Sequence, residues 1–215
     1  MIDKILIVAG GSCDREQLLE QAEAADYIIG ADRGSMTLLE AGIRPDLITG
    51  DFDSLDDMER EELFKKAEGA FEVIRLIPEK DDTDTEHALM IALEKKPAGI
   101  VMMGVTGTRL DQTLSSIELL KLAVDEGVEA CVLDRCNRIR VFNGNAVIKQ
   151  DERFGDYISI LPYAEPVDIS IKGLKYEAEG LHIEKGRSRT VSNELLTGDG
   201  FIECSGYFIV FESRD

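Results

Sequence analysis

The chain has 215 residues, 44% hydrophobic and 31% charged, a globular composition with room for one large domain or two small ones. Lys and Arg number 24 against 43 Asp and Glu, and the formal net charge of −19 disfavours non-specific binding to nucleic acid or to an anionic membrane. No apolar run approaches the ~20 residues of a membrane-spanning helix, Met1 to Val8 resembles a first strand rather than a secretory signal, and four scattered cysteines fit a reduced, cytoplasmic setting.

A strand is expected over Ile5–Ala9, followed by the small-residue loop Gly10-Gly11-Ser12 and a helix over Arg15–Ala25. Such a loop lets backbone approach a ligand, but it is neither Gly-x-Gly-x-x-Gly nor a P-loop, and a plain turn started by Asp14 and Gln17 explains it equally. A second strand, Tyr27–Ala31, leads into Asp32-Arg33-Gly34-Ser35 and a helix over Ser35–Ala41. Asp32 is a candidate for a ribose hydroxyl or a substrate amine, and Arg33 for a bidentate grip on phosphate. The alternative is an Asp32–Arg33 surface pair.

The third strand, Leu47–Thr49, ends in Gly50-Asp51-Phe52-Asp53-Ser54. Acids two apart point the same way if the backbone stays extended. At ~4 Å and an effective dielectric of ~20 they repel by ~4 kcal/mol, so a crevice holding both calls for a cation or a proton. Paired carboxylates with open positions suit Mg²⁺, which completes its shell with water and substrate phosphates. Ser54 is the expected N-cap of a helix over Met58–Ala67, with Asp56 and Asp57 in its first turn. The spacing of Asp51, Asp53 and Glu62 is not an EF-hand, because Leu55 and Asp56 fill the fifth and sixth loop positions.

After a fourth strand, Glu72–Ile77, come Lys80, Asp81, Asp82, Thr83, Asp84 and Glu86. Thr83 and Glu86 form a capping-box signature for a helix over Asp84–Glu94. That leaves Asp81 and Asp84 as candidate ligands and Lys80 as a point charge for phosphate. A fifth strand, Gly99–Met103, precedes Gly104-Val105-Thr106-Gly107-Thr108-Arg109-Leu110-Asp111 and a helix over Leu110–Glu126. Gly107 before a helix start offers N–H groups to an anion, and Arg109 adds charge. Asp111 is a candidate to orient a nucleophile or bind metal; otherwise it pairs with Arg109. A sixth strand follows at Ala130–Leu133. Strand–helix alternation of this kind predicts a parallel sheet covered on both faces.

From about Arg135 onward the helical periodicity disappears. Short strands are expected at Arg138–Phe142, Ala146–Lys149, Tyr157–Leu161, Val167–Ile171, Leu181–Glu184, Arg189–Ser192, Phe201–Ser205 and Phe208–Glu212. Asn143-Gly144 is a hairpin signal. This half is expected to be an antiparallel sandwich or barrel. With only two histidines a zinc site is not expected, and no serine–histidine or cysteine–histidine pair suggests a nucleophile. Acids for a metal, with Arg and Lys for oxyanions, are the parts of phosphoryl or pyrophosphoryl transfer.

Five blocks in order resemble thiamine pyrophosphokinase. They are Ala31-Asp32-Arg33-Gly34, Gly42 to Ser54 with Gly50-Asp51-Phe52-Asp53-Ser54, Lys80 to Leu89, Gly104 to Asp111, and Ser192-Asn193-Glu194-Leu195. The resemblance implies a Rossmann-like α/β nucleotide-binding domain over 1–135 and an antiparallel β-sandwich thiamine-binding domain over 136–215. It implies transfer of the pyrophosphoryl group of ATP to the thiamine hydroxyl, giving thiamine diphosphate and AMP, in a Mg²⁺-dependent, cytoplasmic homodimer. By motif, Asp51, Asp53 and Asp84 match the metal-site acids, with Asp81 alongside and Asp111 a candidate proton acceptor. Lys80 and Arg109 match the region handling ATP phosphates, to which Arg33, Asp81, Thr106 and Gly107 are added. Ser192 and Asn193, with Asp32, are assigned to the substrate. Thr108, Gln112 and Ser116 depart from the usual pattern and bear on substrate contacts. Two other classes stay in view: a non-catalytic thiamine or nucleotide sensor, and a dinucleotide-dependent oxidoreductase, against which the missing glycine fingerprint argues.

Overall fold

The alternating pattern of the first 133 residues becomes a parallel sheet in the computed structural model, which describes residues 2–77 and 81–215. Lys80 lies outside the described residues. In chain order the elements are β1 (Lys4–Val8), α1 (Arg15–Glu23), β2 (Tyr27–Ala31), α2 (Gly34–Glu40), β3 (Leu47–Gly50), α3 (Asp57–Ala67), β4 (Glu72–Arg75), α4 (Asp84–Glu94), β5 (Gly99–Met103), α5 (Leu110–Asp125) and β6 (Glu129–Leu133). In space they run β6-β5-β1-β2-β3-β4, and every neighbouring pair is parallel. Ile5 to Val8 at the centre are fully buried, as a strand covered on both faces requires. Helix α2 packs on β1 and β2, and α4 on β1, β2 and β3. Among the described residues no helix is long and apolar enough to cross a membrane.

Caps set the helix starts. Asp14 accepts from Gln17 N at 3.0 Å and opens α1, and Thr83 accepts from Glu86 N at 3.1 Å and opens α4. The cap of α3 is Asp56, not Ser54. Asp56 and Glu59 form a complete capping box, Glu59 N to Asp56 Oδ1 at 2.8 Å and Asp56 N to Glu59 Oε2 at 2.9 Å. Only Asp56 has a glutamate three residues on that can close the reciprocal bond.

By its contacts the chain divides into two units, residues through Leu119 with Asp125–Arg135, and Leu120–Val124 with Cys136–Asp215. The second is antiparallel: β7 (Asn137–Ile148), β8 (Tyr157–Pro162), β9 (Val167–Lys172), β10 (Ala178–Ile183), β11 (Asn193–Glu194) and β12 (Gly200–Ser213). Asn143-Gly144 is not a hairpin. It lies inside β7, at a bulge where Gly144 (φ +87°) faces Cys204–Gly206 of β12. Two expected strand pairs therefore merge into the long strands β7 and β12. The first part of β12 pairs with β9 and the last part with β8, so the strand changes its second partner across the bulge. Arg189–Ser192 is a turn, and pairing begins only at Asn193.

Ile148, Ile160, Ile169, Ile202, Phe208 and Val210 belong to the hydrophobic core of this unit. One face of β7 and β12 continues that core into a charged end. Phe142 stacks on Phe208 at 5.6 Å, and Glu212, fully buried, takes Arg138 through both oxygens at 2.7 and 2.9 Å and Arg140 at 2.7 Å. The guanidinium groups keep partial access to water, with side chains 22% and 24% exposed. Removing the carboxylate leaves two cations facing each other in a mostly desolvated place. Glu212→Ala is expected to cost about 3–5 kcal/mol, read as a lower urea midpoint; a loss below ~1 kcal/mol would show that solvent already screens these charges.

Candidate active site

The sheet order reverses between β1 and β5: β2, β3 and β4 step away on one side, β5 and β6 on the other. Loops leaving the carboxyl ends of β1 and β5 diverge, and open α/β sheets bind ligands in the resulting crevice. Here it is a cleft of about 660 Å³ lined by the loops after β1, β2, β3 and β5 and by the starts of α4 and α5. The first loop proves more than a plain turn. Gly11 N donates to Gly104 O at 2.6 Å and Ser12 N to Thr106 O at 3.0 Å, joining the first loop to the fifth. A Cβ on Gly11 would stand 2.5 Å from both carbonyl oxygens, so glycine is required there by close approach.

The acids separate at Phe52. Its backbone is left-handed (φ +58°) and its ring is buried, edge-on to Phe64 at 5.3 Å in a cluster with Met36, Ile48, Leu55 and Leu63. The chain is thus not extended from 51 to 53, and the two carboxylates do not point together. Asp51 joins Asp32 and Asp84, with one carboxylate oxygen of each within 4.8 Å of the others. Asp53 is exposed on the cleft wall, its N–H donating to Asp51 Oδ1 at 3.1 Å. Asp32 enters the cluster because β2 and β3 are neighbours. The Ala31–Thr49 register places the two strand ends side by side, and Asp32 N donates to Thr49 O at 2.8 Å. Asp32 is itself left-handed (φ +48°), and its Oδ1 is buried without a hydrogen-bond partner. Three carboxylates at this spacing repel by about 3 kcal/mol per pair at an effective dielectric of ~20. An orphaned buried oxygen and a hard-oxygen donor set fit a divalent cation of the Mg²⁺ type.

The basic residues are engaged within the chain. Arg33 holds Glu59 through both nitrogens at 3.1 and 2.9 Å and also donates to Ser54 O. Arg109 holds Asp111 at 3.2 and 2.6 Å, with both side chains two-thirds exposed. That guanidinium holds the Asp111 carboxyl below its ordinary range, which makes it a poor base while the pair persists. Thr106 and Gly107 line the cleft; Asp81 is exposed and does not. Thr108, Gln112 and Ser116 line the cleft with Arg109, Ser116 being buried.

In the β unit, Ser192 and Asn193 face different ways. Asn193 is 4% exposed, its Oδ1 accepting from Tyr176 N and its Nδ2 donating to Tyr176 O, each at 2.9 Å. Ser192 is exposed and left-handed (φ +58°), its N–H bonded to Ser159 Oγ at 3.0 Å. A hollow of about 570 Å³ lies beside this turn, lined by Tyr176, His182, Arg189, Thr190 and the predicted substrate residue Asn193 among others.

Two family models match the chain, the catalytic domain of thiamin pyrophosphokinase over residues 18–132 and its vitamin B1 binding domain over 145–207. The thiamine pyrophosphokinase of Bacillus subtilis is 38% identical over 215 residues, covering 98% of this chain and 99% of that protein. The chain belongs to the thiamine pyrophosphokinase family. A crystal structure of the Bacillus subtilis thiamine pyrophosphokinase superposes with a TM-score of 0.88 at 36% identity, over 99% of this chain and 100% of that one. The thiamin pyrophosphokinase 1 of Caenorhabditis elegans is 30% identical, covering 77% of this chain and 68% of that protein.

Within this thiamine pyrophosphokinase scaffold, two residues were not assigned these roles from sequence. Asp32, set against the substrate, lies in the acid cluster; the signal for it was the strand order, since neighbouring parallel strands bring their carboxyl ends together. Glu59 carried no signal beyond its place in the first turn of a helix. Burial pushes the Asp32 carboxyl up, and the charges of Asp84 and Asp51 act the same way, against hydrogen bonds from the Ser54 side chain and the Arg33 N–H. A raised folded pKa means that the native chain holds this proton more tightly than the unfolded one. The resulting stability is fully present below the ordinary Asp value of ~3.9 and is lost as pH rises through the folded value. Asp32→Asn is therefore expected to raise the melting temperature of the cation-free protein at neutral pH. The gain should shrink as pH falls toward the carboxylate range, and Mg²⁺ should stabilise the variant less than the parent. A lower cation-free melting temperature would show that the charge is already compensated within the chain.

Proposed function

We infer that this chain transfers the pyrophosphoryl group of ATP to the hydroxyl of thiamine, giving thiamine diphosphate and AMP. The observation that carries the reading is the Asp32, Asp51 and Asp84 cluster at the sheet's crossing point, in a chain that matches thiamine pyrophosphokinase over its whole length. In the reaction the thiamine oxygen attacks the β-phosphorus, the bond from that phosphorus to the α-bridging oxygen breaks, and AMP leaves with the bridging oxygen.

Asp32, Asp51 and Asp84 would hold Mg²⁺, which when bound neutralises charge on the ATP phosphates. Gly107 and N–H groups at the start of the 16-residue helix α5, which line the cleft, would receive phosphate oxygens. Arg109, exposed on the same wall, exchanges its Asp111 partner for phosphate. That exchange releases the Asp111 carboxylate from the cation that lowers its basicity, and the freed group is then available to take the hydroxyl proton. Asp53, exposed on the cleft wall, would add a further carboxylate toward the cation or the nucleotide. Ser192 presents its side chain to thiamine, and Asn193 supports it by fixing the Tyr176 turn. The resemblance to the family also supports a homodimer in the cytoplasm.

Purified protein is expected to release AMP from ATP only when both thiamine and Mg²⁺ are present, with thiamine diphosphate formed in equal amount. Asp51→Asn is expected to lose more than ~100-fold in turnover while remaining folded. Formation of ADP would mean transfer of a single phosphoryl group, and thiamine binding without turnover would favour a sensor.

A further inference from the structure

The loops that carry Asp32 and Asp51 are tied to one another by side chains outside the acid cluster. Arg33 follows Asp32, and its guanidinium crosses to the next loop, where Nη1 and Nη2 meet Glu59 Oε1 and Oε2 and Nη2 also meets Ser54 O. Glu59 Oε2 accepts a further bond from Asp56 N at 2.9 Å. The Arg33 stem runs against Gly10, where an added Cβ would stand 2.9 Å from Arg33 Cβ, so a larger residue at 10 would displace it. To reach a phosphate, Arg33 would have to abandon a two-pronged charge-assisted pair and a carbonyl.

We propose that Arg33 and Glu59 form a positioning pair that fixes the spacing of the cation-holding carboxylates, and that Arg33 is not a phosphate ligand. The proposal rests on the reading of Asp32, Asp51 and Asp84 as a cation site. One end of the pair is covalently next to Asp32. The other is built into the cap that terminates the Asp51–Asp56 loop. Slack in the pair therefore becomes slack between two of the three acids. Partners that orient metal ligands from behind commonly change metal affinity by roughly 10–100-fold. The pair is partly open to water, with side chains 41% and 27% exposed, so geometry rather than charge is its main contribution.

The test is Mn²⁺ binding to nucleotide-free protein, followed by electron paramagnetic resonance, with kcat and KM for ATP measured alongside. Mn²⁺ suits the same oxygen donors as Mg²⁺. Glu59→Gln keeps an oxygen for the Asp56 N–H, so α3 stays capped while the ion pair is lost. Arg33→Ala and Glu59→Gln are each expected to weaken Mn²⁺ binding roughly tenfold, and the double variant no more than the worse single. Arg33→Lys, which keeps charge but not the fork, should resemble Arg33→Ala. An Arg33→Ala variant with a raised KM for ATP and parental Mn²⁺ affinity, beside a Glu59→Gln variant unchanged in both, overturns the proposal and makes Arg33 a phosphate ligand. Equal losses that add in the double variant also overturn it, because the two residues would then act independently. Pair-dependent Mn²⁺ binding without thiamine-dependent AMP release would sink the proposed reaction and leave the pair standing. No Mn²⁺ binding by the parent chain would remove the cation site and the pair's role with it.

Discussion

The left-handed turn at Phe52 sets the geometry on which the acid cluster depends. A non-glycine residue in that region costs roughly 1–2 kcal/mol, and burying a phenylalanine ring contributes roughly 2–3 kcal/mol. Burial therefore outweighs the strain, and the ring, 1% exposed against Phe64 and Leu63, holds the backbone where it would not otherwise stay. The consequence falls on its two neighbours. Asp51 joins Asp32 and Asp84, and Asp53 stands exposed on the wall of the same cleft. The Phe between the two acids is thus a hinge pin for the site, and its hydrophobic cluster with α2 and α3 connects core packing directly to the placement of charge.

The same region shows stability set against function. Three carboxylates held within 4.8 Å disfavour the cation-free chain, and one of them has a buried oxygen with no partner. The two arginines of the neighbouring loops are paired elsewhere. Arg33 is spent on Glu59 and Ser54 O, and Arg109 on Asp111, so neither guanidinium lies against the cluster in the described contacts. A site neutralised by its own arginines would have less to gain from a cation. Keeping them on neighbouring acids leaves the cluster's field for a divalent ion, in a chain whose net charge of −19 already favours cations over free nucleotide.

Sequence made most of the first unit legible, because its information is local. The apolar runs, Asp14 and Thr83 as caps, and the acids at strand ends are all readable within a dozen residues. What was not legible depends on which segments meet. Asp32 joins Asp51 because β2 and β3 are neighbours in register. Arg33 finds Glu59 twenty-six residues away. Asn143-Gly144 satisfies the local chemistry of a hairpin, yet the strand continues because β12 pairs with β7 on both sides of it. The left-handed preference that makes Asn-Gly a turn signal serves a bulge equally well. The pairing partner decides between them, and a local pattern does not contain it.

Adjacent residues in the recognisable motifs divide their labour in the same manner in both units. Phe52 is buried so that Asp51 and Asp53 can part. Asn193 is buried, with three hydrogen bonds to backbone, and Ser192 beside it is exposed in left-handed backbone. Asn193 also lines the hollow beside this turn, and replacing it would leave the Tyr176 amide and carbonyl without partners, at a cost of about 1–3 kcal/mol for each such group. Such a residue holds the backbone beside its neighbour as well as facing the hollow. Left-handed backbone alone does not mark such a place: Asp32, Phe52 and Ser192 lie in stretches the motifs single out, but Lys96, also left-handed, merely follows the end of α4, so it is strained backbone held by a packed or hydrogen-bonded neighbour that presents a side chain.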